Sequence, residues 1–553
     1  MVHLTRKTRN GINYLYLEER AWIDGRSKRL WQKYLGREDK IQELDTTFAP
    51  EKLEYQSLEF GCSAALLNVA KKIKFVESVD EVIGKQRSDH LSVGEYLLIA
   101  CINRCLAPTS KRRLGTWFAK DYLSTVFPLE PKILNSQTYW NQFQRVTPEA
   151  LDEIETKIVH EVLDRYEIDL SCVLYDPTNF YTFIENHSSE QLPRFGHSKE
   201  GRDSLRIVNL SLLCSLQFGI PLFHQTYKGN VQDAAHFKGV LSTIVHRFTQ
   251  LQRDVKEIVM IFDKGNHSSE AFAVIATNEM PFIASIRNST QKDLLQVPES
   301  EFTSITLPTS RKEVKYYKTR RTIYDKLRQV YVVLNPRKQY RMQAHYTGAR
   351  DKRLQTINEF LSKLNHNKWR SKPEVEAKLQ ALVGNTPWVK IIESTVTGSF
   401  GHLQATVTVN RTEEASHLNT LGKTILFTSQ DAWSPEMVIQ AFRNKYLVED
   451  AFKDLKDPLL VAIRPMFHWT DACIRAHVFT CVLGLLLLSL LRKELIDHGI
   501  IASFRHILET LAELSLTAIF TSSTGPELYR LNKISPEASA MARHLGLLKM
   551  VPK

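Results

Sequence analysis

The spacing of apolar residues changes several times along the chain. From residue 1 to about 50, apolar and polar positions alternate, as in INYLYLEERAWIDGRSKRLWQKYL. Asp24-Gly25 interrupts the alternation, so short strands and a hairpin are expected there. From about 56 to 166 the period becomes helical in CSAALLNVAKKIKFV, VGEYLLIACINRCL and PEALDEIETKIVHEVLDRY, with the basic stretch APTSKRRLGTWFAK among them. This region reads either as a DNA-end-binding module or as a helical packing domain.

From 170 the pattern alternates between strand and helix. LSCVLYD (170–176) reads as a short buried strand ending in an acid, followed by the polar connector GHSKEGRDS. LRIVNLSLLCSL and GIPLFHQTY form a hairpin through Gln217-Phe218-Gly219. A helix is expected from Asp233 to about Gln252, then the strand EIVMIFD ending in a second acid, a helix from about Ser268 and the strand PFIASIR. This order predicts a mixed α/β sheet.

Residues 288–420 are polar, basic and β-leaning at both ends, with fourteen Lys/Arg against three Asp/Glu between 311 and 353. So long a structureless loop is improbable in a domain, so an inserted β-rich domain is expected. KTILFTS (423–429) supplies one more strand. Ser434-Pro435-Glu436 then opens a helix, with Ser434 as N-cap and Pro435 at the first helical position. The expected division is a ribbon (1–55), a helical domain (56–166), a core in two parts (167–290 and 421–500), the insertion (291–420) and a C-terminal helical region (501–553).

Composition adds the class of partner. The 553 residues are 43% hydrophobic and 24% charged, and the net charge of +12 favours an anionic partner, most often nucleic acid. Seven cysteines (62, 101, 105, 172, 214, 473 and 481) lack any CxxC pair, which suits buried thiols in a reducing compartment and argues against zinc. VFTCVLGLLLLSLL (478–491) is 14 residues long, against about 20 needed to span a bilayer, so it reads as a buried helix. The N-terminus has no apolar signal core; a cytoplasmic, nucleoid-associated protein without a membrane partner is expected. His468 and His477 read as structural.

Candidate chemistry centres on AFRNKYLVEDAFKDLK (441–456). Wound as one helix, Ala441, Val448, Ala451, Phe452 and Leu455 form an apolar stripe. Phe442, Lys445, Glu449 and Lys456 lie along its edge, and Arg443, Asp450 and Asp454 face water. Alone, this is as easily a solvated charged face. Asp176 and Asp263, however, both close apolar strands, where a charge is costly unless used or exposed. Three converging carboxylates are tolerable around divalent cations, and their hard oxygens select Mg²⁺, with Mn²⁺ able to substitute. Two such ions activate an attacking oxygen and stabilise the leaving one in phosphoryl transfer. Lys445 and Lys456 would then hold flanking phosphates, with Phe442 and Arg443 as weaker DNA contacts. Tyr316, Tyr317, Trp369 and Trp388 are candidates for stacking on a base, or core residues. No GxxxxGK[ST], GxSxG or HExxH motif offers a rival chemistry.

These segments resemble the DDE transposases of bacterial insertion sequences, in the large IS-four group and its branch with a long helical N-terminal region. That group carries a Tyr-x2-Arg-x3-Glu-x6-Lys signature, matched in spacing by Phe442, Lys445, Glu449 and Lys456. Phe loses the hydroxyl and Lys the bidentate fork of Arg. VLYDPTNFYTF and FDKGNHS resemble the segments of the first two acids, Asp176 and Asp263. The connector and hairpin, NRCLAPTSKRRLGTW and the ribbon extend the resemblance over nearly the whole chain. It implies a ribonuclease-H-like core with a β-rich insertion between the second and third acids, here 186 residues apart. It further implies Mg²⁺-dependent cleavage at terminal inverted repeats, strand transfer into target DNA, and a homodimer across two paired ends. The rival readings are a metal-dependent nuclease that cuts without joining and a DNA-binding derivative that does not cut.

Overall fold

The long alternating stretch at the start of the chain folds as an antiparallel ribbon of β1 (Val2–Arg9), β2 (Ile12–Ile23) and β3 (Arg26–Arg37) in a computed structural model. The structure describes residues 2–23, 25–40, 54–84, 91–184, 191–308, 313–464, 466, 468, 470–520 and 528–552. Asp24 of the expected Asp24-Gly25 turn lies outside them, but Ile23 faces Arg26 across β2 and β3, as a two-residue turn requires. The strands are longer than expected, at 8, 12 and 12 residues. They belong to one compact unit of residues 1–64, 118–128 and 508–553; the other unit holds 65–117 and 129–507. In the first unit β4 (Glu54–Glu59) pairs with Ser515–Phe520, which pairs in turn with Leu528–Leu531. The C-terminal region is therefore not purely helical: its strands complete a sheet begun some 460 residues earlier, a pairing that local periodicity cannot reveal.

In the second unit α1 (Val93–Leu106) starts with a reciprocal cap: the Glu95 amide donates to Ser92 Oγ at 3.1 Å and the Ser92 amide to the Glu95 carboxylate at 2.7 Å. Lys111 in the basic stretch that follows is buried, its ammonium 4.8 Å from the Tyr139 ring centroid, so it is not a DNA contact. α2 (Pro148–Tyr166) is capped by Thr147 with Pro148 at its first position.

A nine-stranded mixed sheet dominates this unit. Third from one edge lies β5 (Cys172–Tyr181), antiparallel to β6 (Ile207–Ser215), which pairs with the edge strand β7 (Pro221–Lys228). On the other side β5 is parallel to β8 (Val259–Phe262), and β8 to β9 (Phe282–Ser285). Every residue of β6, β8 and β9 is buried, so these strands read as continuous apolar runs, not as alternations. Phe218 and Gly219 adopt positive φ in the β6–β7 turn.

β5 corrects one expectation: Asp176 lies in the middle of a ten-residue strand, not at its end. The turn signal Asp176-Pro177-Thr178-Asn179 is overridden because β6 pairs with β5 as far as Ile207↔Tyr181. β8 pairs with β5 only over Cys172–Leu174, so Pro177 removes no hydrogen bond on that side.

The expectation of a β-rich insertion also needs correction. β10 (Thr303–Thr306), β11 (Glu313–Ile323) and β12 (Lys326–Leu334) extend the core sheet through β15 (Lys423–Thr428), which pairs with β9. Between β12 and β15 come the helix α3 (Pro336–Leu361), a helix Lys372–Val383, the hairpin of β13 (Ile392–Ser399) and β14 (His402–Val409), and a helix Arg411–Thr420. α3 buries only Tyr346, Ile357 and Phe360, too few for a legible helical stripe. Trp388 stacks on Tyr346 at 5.1 Å and Trp369 meets Phe360 edge-on at 4.9 Å, so both are core residues. Tyr316 and Tyr317 lie beside Tyr331 and Phe302 at 6.2 Å.

The helix expected after Ser434 is two: α4 (Pro435–Arg443) and α5 (Tyr446–Lys456), separated by a turn at Asn444 and Lys445. Ser434 Oγ accepts from the Met437 amide, and Pro435 takes the first position, as the sequence indicates. α6 (Asp471–Asp497) carries the apolar run; residues 477–491 are all buried. The Cys101 and Cys105 thiols on α1 donate to the carbonyls of Thr480 and Gly484 on α6, both at 3.3 Å. His477 bonds the Ile463 carbonyl at 3.1 Å, a structural role.

Candidate active site

Adjacent parallel strands place the first two acids. β5 and β8 run parallel with Leu174 opposite Ile261, so Asp176, within β5, and Asp263, just past the end of β8, each stand two residues beyond that pair. Asp263 sits just beyond β8, where the Lys264 amide donates to its Oδ1 at 2.7 Å and the Ser285 hydroxyl donates to the same oxygen. α5 packs Val448, Ala451, Phe452 and Leu455 into the core, which leaves Glu449 at the rim, half exposed.

The three acids meet on one nitrogen. Lys445 Nζ lies 3.1 Å from Glu449 Oε1, 3.2 Å from Asp176 Oδ1 and 3.8 Å from Asp263 Oδ2. Lys445 is buried, and burial alone would lower its pKa. Asp176, Asp263 and Glu449 together outweigh that effect and raise its pKa. Burial pushes the Asp176 carboxyl up, with Lys445 and Lys199 opposing. Burial acts the same way on Asp263, but the Ser285 hydroxyl, Lys445 and the Lys264 amide prevail and its pKa is lowered. Adjacent acids are thus held in different ways, one by an ammonium and one by a fixed hydrogen-bond cradle.

The expected phosphate contacts are internal here. Lys445 serves the acids. Lys456 Nζ donates to the Asn179 carbonyl at 2.7 Å and to Thr178 Oγ1 at 3.0 Å, and pairs with Glu200 at 3.0 Å. Burial lowers the Lys456 pKa. Arg443 does not face open water: with Phe442 it lines a cleft of about 530 Å³ that begins at Asp263, Lys445 and Glu449, and burial lowers its pKa. Lys264, Lys338 and Lys423 line the same cleft. Asp454 is half-buried as well, its carboxyl pushed up to about 6 by burial. The turn at Asn444 and Lys445 separates Arg443 from α5, so a single helical wheel does not carry to it; Asp454 lies within α5, where Arg492 of α6 opposes the effect of burial. Asp450 does lie at the surface side, paired with Lys453 at 2.6 Å.

Sequence reasoning missed Ser285, Lys199 and Glu200. Lys199 Nζ donates to the Pro177 carbonyl at 2.7 Å, and Glu200 pairs with Lys456 and Arg464. The charged connector containing Lys199 and Glu200 was the available signal; nothing marked Ser285.

The donors fit a divalent cation by type: three carboxylates, all oxygen, already gathered around a positive charge. Among the described residues no three His, Cys, Asp or Glu side chains stand around a vacant metal position, because Lys445 takes that place.

Residues 170–464 match the family described as "Transposase DDE domain". No match was found among curated proteins. A solved structure described as "Cryo-EM structure of piggyBac transposase synaptic complex with hairpin DNA" is loosely similar, at 8% identity and a TM-score of 0.38 over 83% of this chain and 82% of that one. The family match spans more than half of the sequence and includes Asp176, Asp263 and Glu449. The chain belongs to the transposase DDE-domain family.

Proposed function

We propose that this transposase cuts DNA at the ends of an insertion sequence and joins the freed ends to target DNA, with Asp176, Asp263 and Glu449 as its metal-binding acids. The observation that carries the reading is the meeting of these carboxylates, from two strands and a helix 186 residues further on, around a single cation. The strand order β7-β6-β5-β8-β9, antiparallel then parallel, supports a ribonuclease-H-like core. The spacing of Phe442, Lys445, Glu449 and Lys456 supports placement in the IS-four group of bacterial elements.

The chemistry that a pair of bound Mg²⁺ ions, or Mn²⁺, supplies here is activation of the attacking oxygen and neutralisation of the leaving one. Asp176 and Asp263 present ligands from rigid strands, and Ser285 with the Lys264 amide fixes the orientation of Asp263. Lys445 holds the acids together before loading. Displaced, it carries its charge towards a phosphate, the role its position in the signature suggests. Water attacks the end phosphodiester, the P–O3′ bond breaks, and a 3′-hydroxyl is freed. That hydroxyl then attacks a phosphodiester of the target, or first of the opposite strand. The cleft lined by Phe442, Arg443, Lys264 and Lys338 is suited to a DNA strand approaching the acids. Work across two paired ends calls for a homodimer, in the cytoplasm at the nucleoid.

A strand-transfer assay with duplex inverted-repeat ends and Mg²⁺ tests the reading. Joined product is expected. Cleavage without joining would establish a nuclease instead, and binding without cleavage a non-catalytic derivative.

A further inference from the structure

The ribbon β1–β3 is a sheet almost without a core. Of its strand residues, only Glu18 is buried among those whose side chains are described. Small sheets that bury no apolar face are marginal in water. This one exposes Leu4, Trp22, Leu30, Trp31, Tyr34 and Leu35. Such a surface needs a partner, and its charge says which kind. Residues 2–37 hold nine Lys/Arg against three Asp/Glu, a surplus of six in a chain whose net charge is +12.

Cross-strand register sorts the side chains onto two faces. Lys7, Tyr14 and Arg37 share one row, Thr5, Tyr16 and Tyr34 the next, and Arg20 lies opposite Arg29 on the same side. The Tyr16 and Tyr34 rings are 5.2 Å apart, and Lys7 Nζ lies 5.0 Å from the Tyr16 centroid. The one acid of this face, Glu18, is held by Arg20 at 3.0 Å. The opposite face is more aliphatic, with Leu4 beside Leu17. It also carries Trp31, whose indole N–H donates to Glu19 at 2.9 Å. Strands of 12 residues run about 40 Å, slightly more than one turn of B-DNA at roughly 34 Å.

We propose that the tyrosine–lysine face of the ribbon is a docking surface for double-stranded DNA, built from Lys7, Arg9, Arg29 and the Tyr14, Tyr16 and Tyr34 rings. The proposal rests on the transposase reading and adds a DNA contact made by the ribbon's own residues. The cations take phosphates along one turn of the duplex, and the rings cover sugar edges between them. Binding on this face removes the exposed Trp22 and Tyr34 rings from water and neutralises basic charge together, which a second, equally basic copy of the ribbon does not achieve.

The test uses the full chain in EDTA, so that binding is read without cleavage. Duplex affinity is measured across a salt series for the wild type, for the variant Lys7→Gln/Arg9→Gln/Arg29→Gln, and for Arg6→Gln/Lys28→Gln/Lys33→Gln, which removes the same charge from the other face. The first variant is expected to lower the slope of log K against log salt by roughly 2 to 3, and the second by less than about one. Hydrogen exchange on the wild type gives a readout free of any variant's folding: DNA should protect β1–β3, and raising protein concentration without DNA should not. Equal slopes in the wild type and the first variant, a larger loss from the second, or protection by protein alone would overturn the proposal. DNA binding with an unprotected ribbon would sink this inference alone; a wild type that binds no duplex would sink the transposase reading with it.

Discussion

β6 and β3 are both antiparallel strands in three-strand neighbourhoods, yet they could hardly differ more. All nine residues of Ile207–Ser215 are buried, whereas none of the twelve in Arg26–Arg37 is. The first kind of strand is stabilised by its own chain, through apolar area removed from water on both faces. The second is left with basic and aromatic side chains that only another molecule covers. Asp176 and Asp263 stand on or just beyond the first kind, because metal chemistry needs ligands whose positions are set before anything binds. The surplus of positive charge stands on the second.

The sharpest way to test this contrast is to separate cutting from holding. Glu449→Gln should leave no detectable cleavage product while duplex affinity stays within about twofold, since Glu449 is half exposed and, among the described residues, its carboxylate pairs with Lys445. The ribbon variant should do the reverse, weakening the hold on DNA while leaving the acids in place. Loss of folding or binding in Glu449→Gln, measured by circular dichroism and anisotropy, would blur the two regions into one.

Stability should divide the regions next. Phe262→Ala, in fully buried β8, should cost about 3–5 kcal/mol in denaturant unfolding. Leu30→Ala in the ribbon should stay within about 0.5 kcal/mol, because its side chain is half exposed already. Comparable costs would mean that the ribbon has a hidden core.

Charge outside the ribbon offers a third comparison. Lys111 sits in a basic stretch that reads like a DNA contact, but burial lowers its pKa to about 7, against 10.5 unperturbed. Between those values the unfolded chain holds a proton that the folded chain lacks, so stability should rise with pH from about 7 to 10. Lys111→Met should flatten that rise without changing DNA affinity, as denaturant midpoints at several pH values and anisotropy will show. The smallest effect belongs to Asp450→Asn, which removes only a surface pair with Lys453 and should change cleavage less than about twofold.

Much of this was legible because periodicity records burial. The apolar runs of β6, β8 and β9, the hairpin at Phe218-Gly219, the Ser434 cap and the buried helix at 478–491 all follow from local pattern. The two aspartates were found because charges that follow apolar strands stand out. What failed depended on distant partners. β5 outruns its turn signal because β6 supplies hydrogen bonds through Tyr181. β4 needs Ser515–Phe520, and β11 and β12 join the core only through β15. The wheel at 441–456 misplaced Arg443, which the turn at Asn444 and Lys445 separates from α5, and Asp454, whose burial depends on the neighbouring helix and not on the pattern of α5. That same turn carries Lys445 into the acids, where the sequence alone suggested a phosphate.

Everything turns on whether those acids become a single divalent-cation site when Lys445 gives way. Titration of the full chain with Mn²⁺, followed by electron paramagnetic resonance of the free ion, measures this without any need for DNA. The wild type should bind Mn²⁺ saturably, Asp263→Asn and Glu449→Gln should each weaken binding by at least roughly tenfold, and Lys445→Met should strengthen it. Equal Mn²⁺ affinity in the wild type and both acid variants would contradict the account.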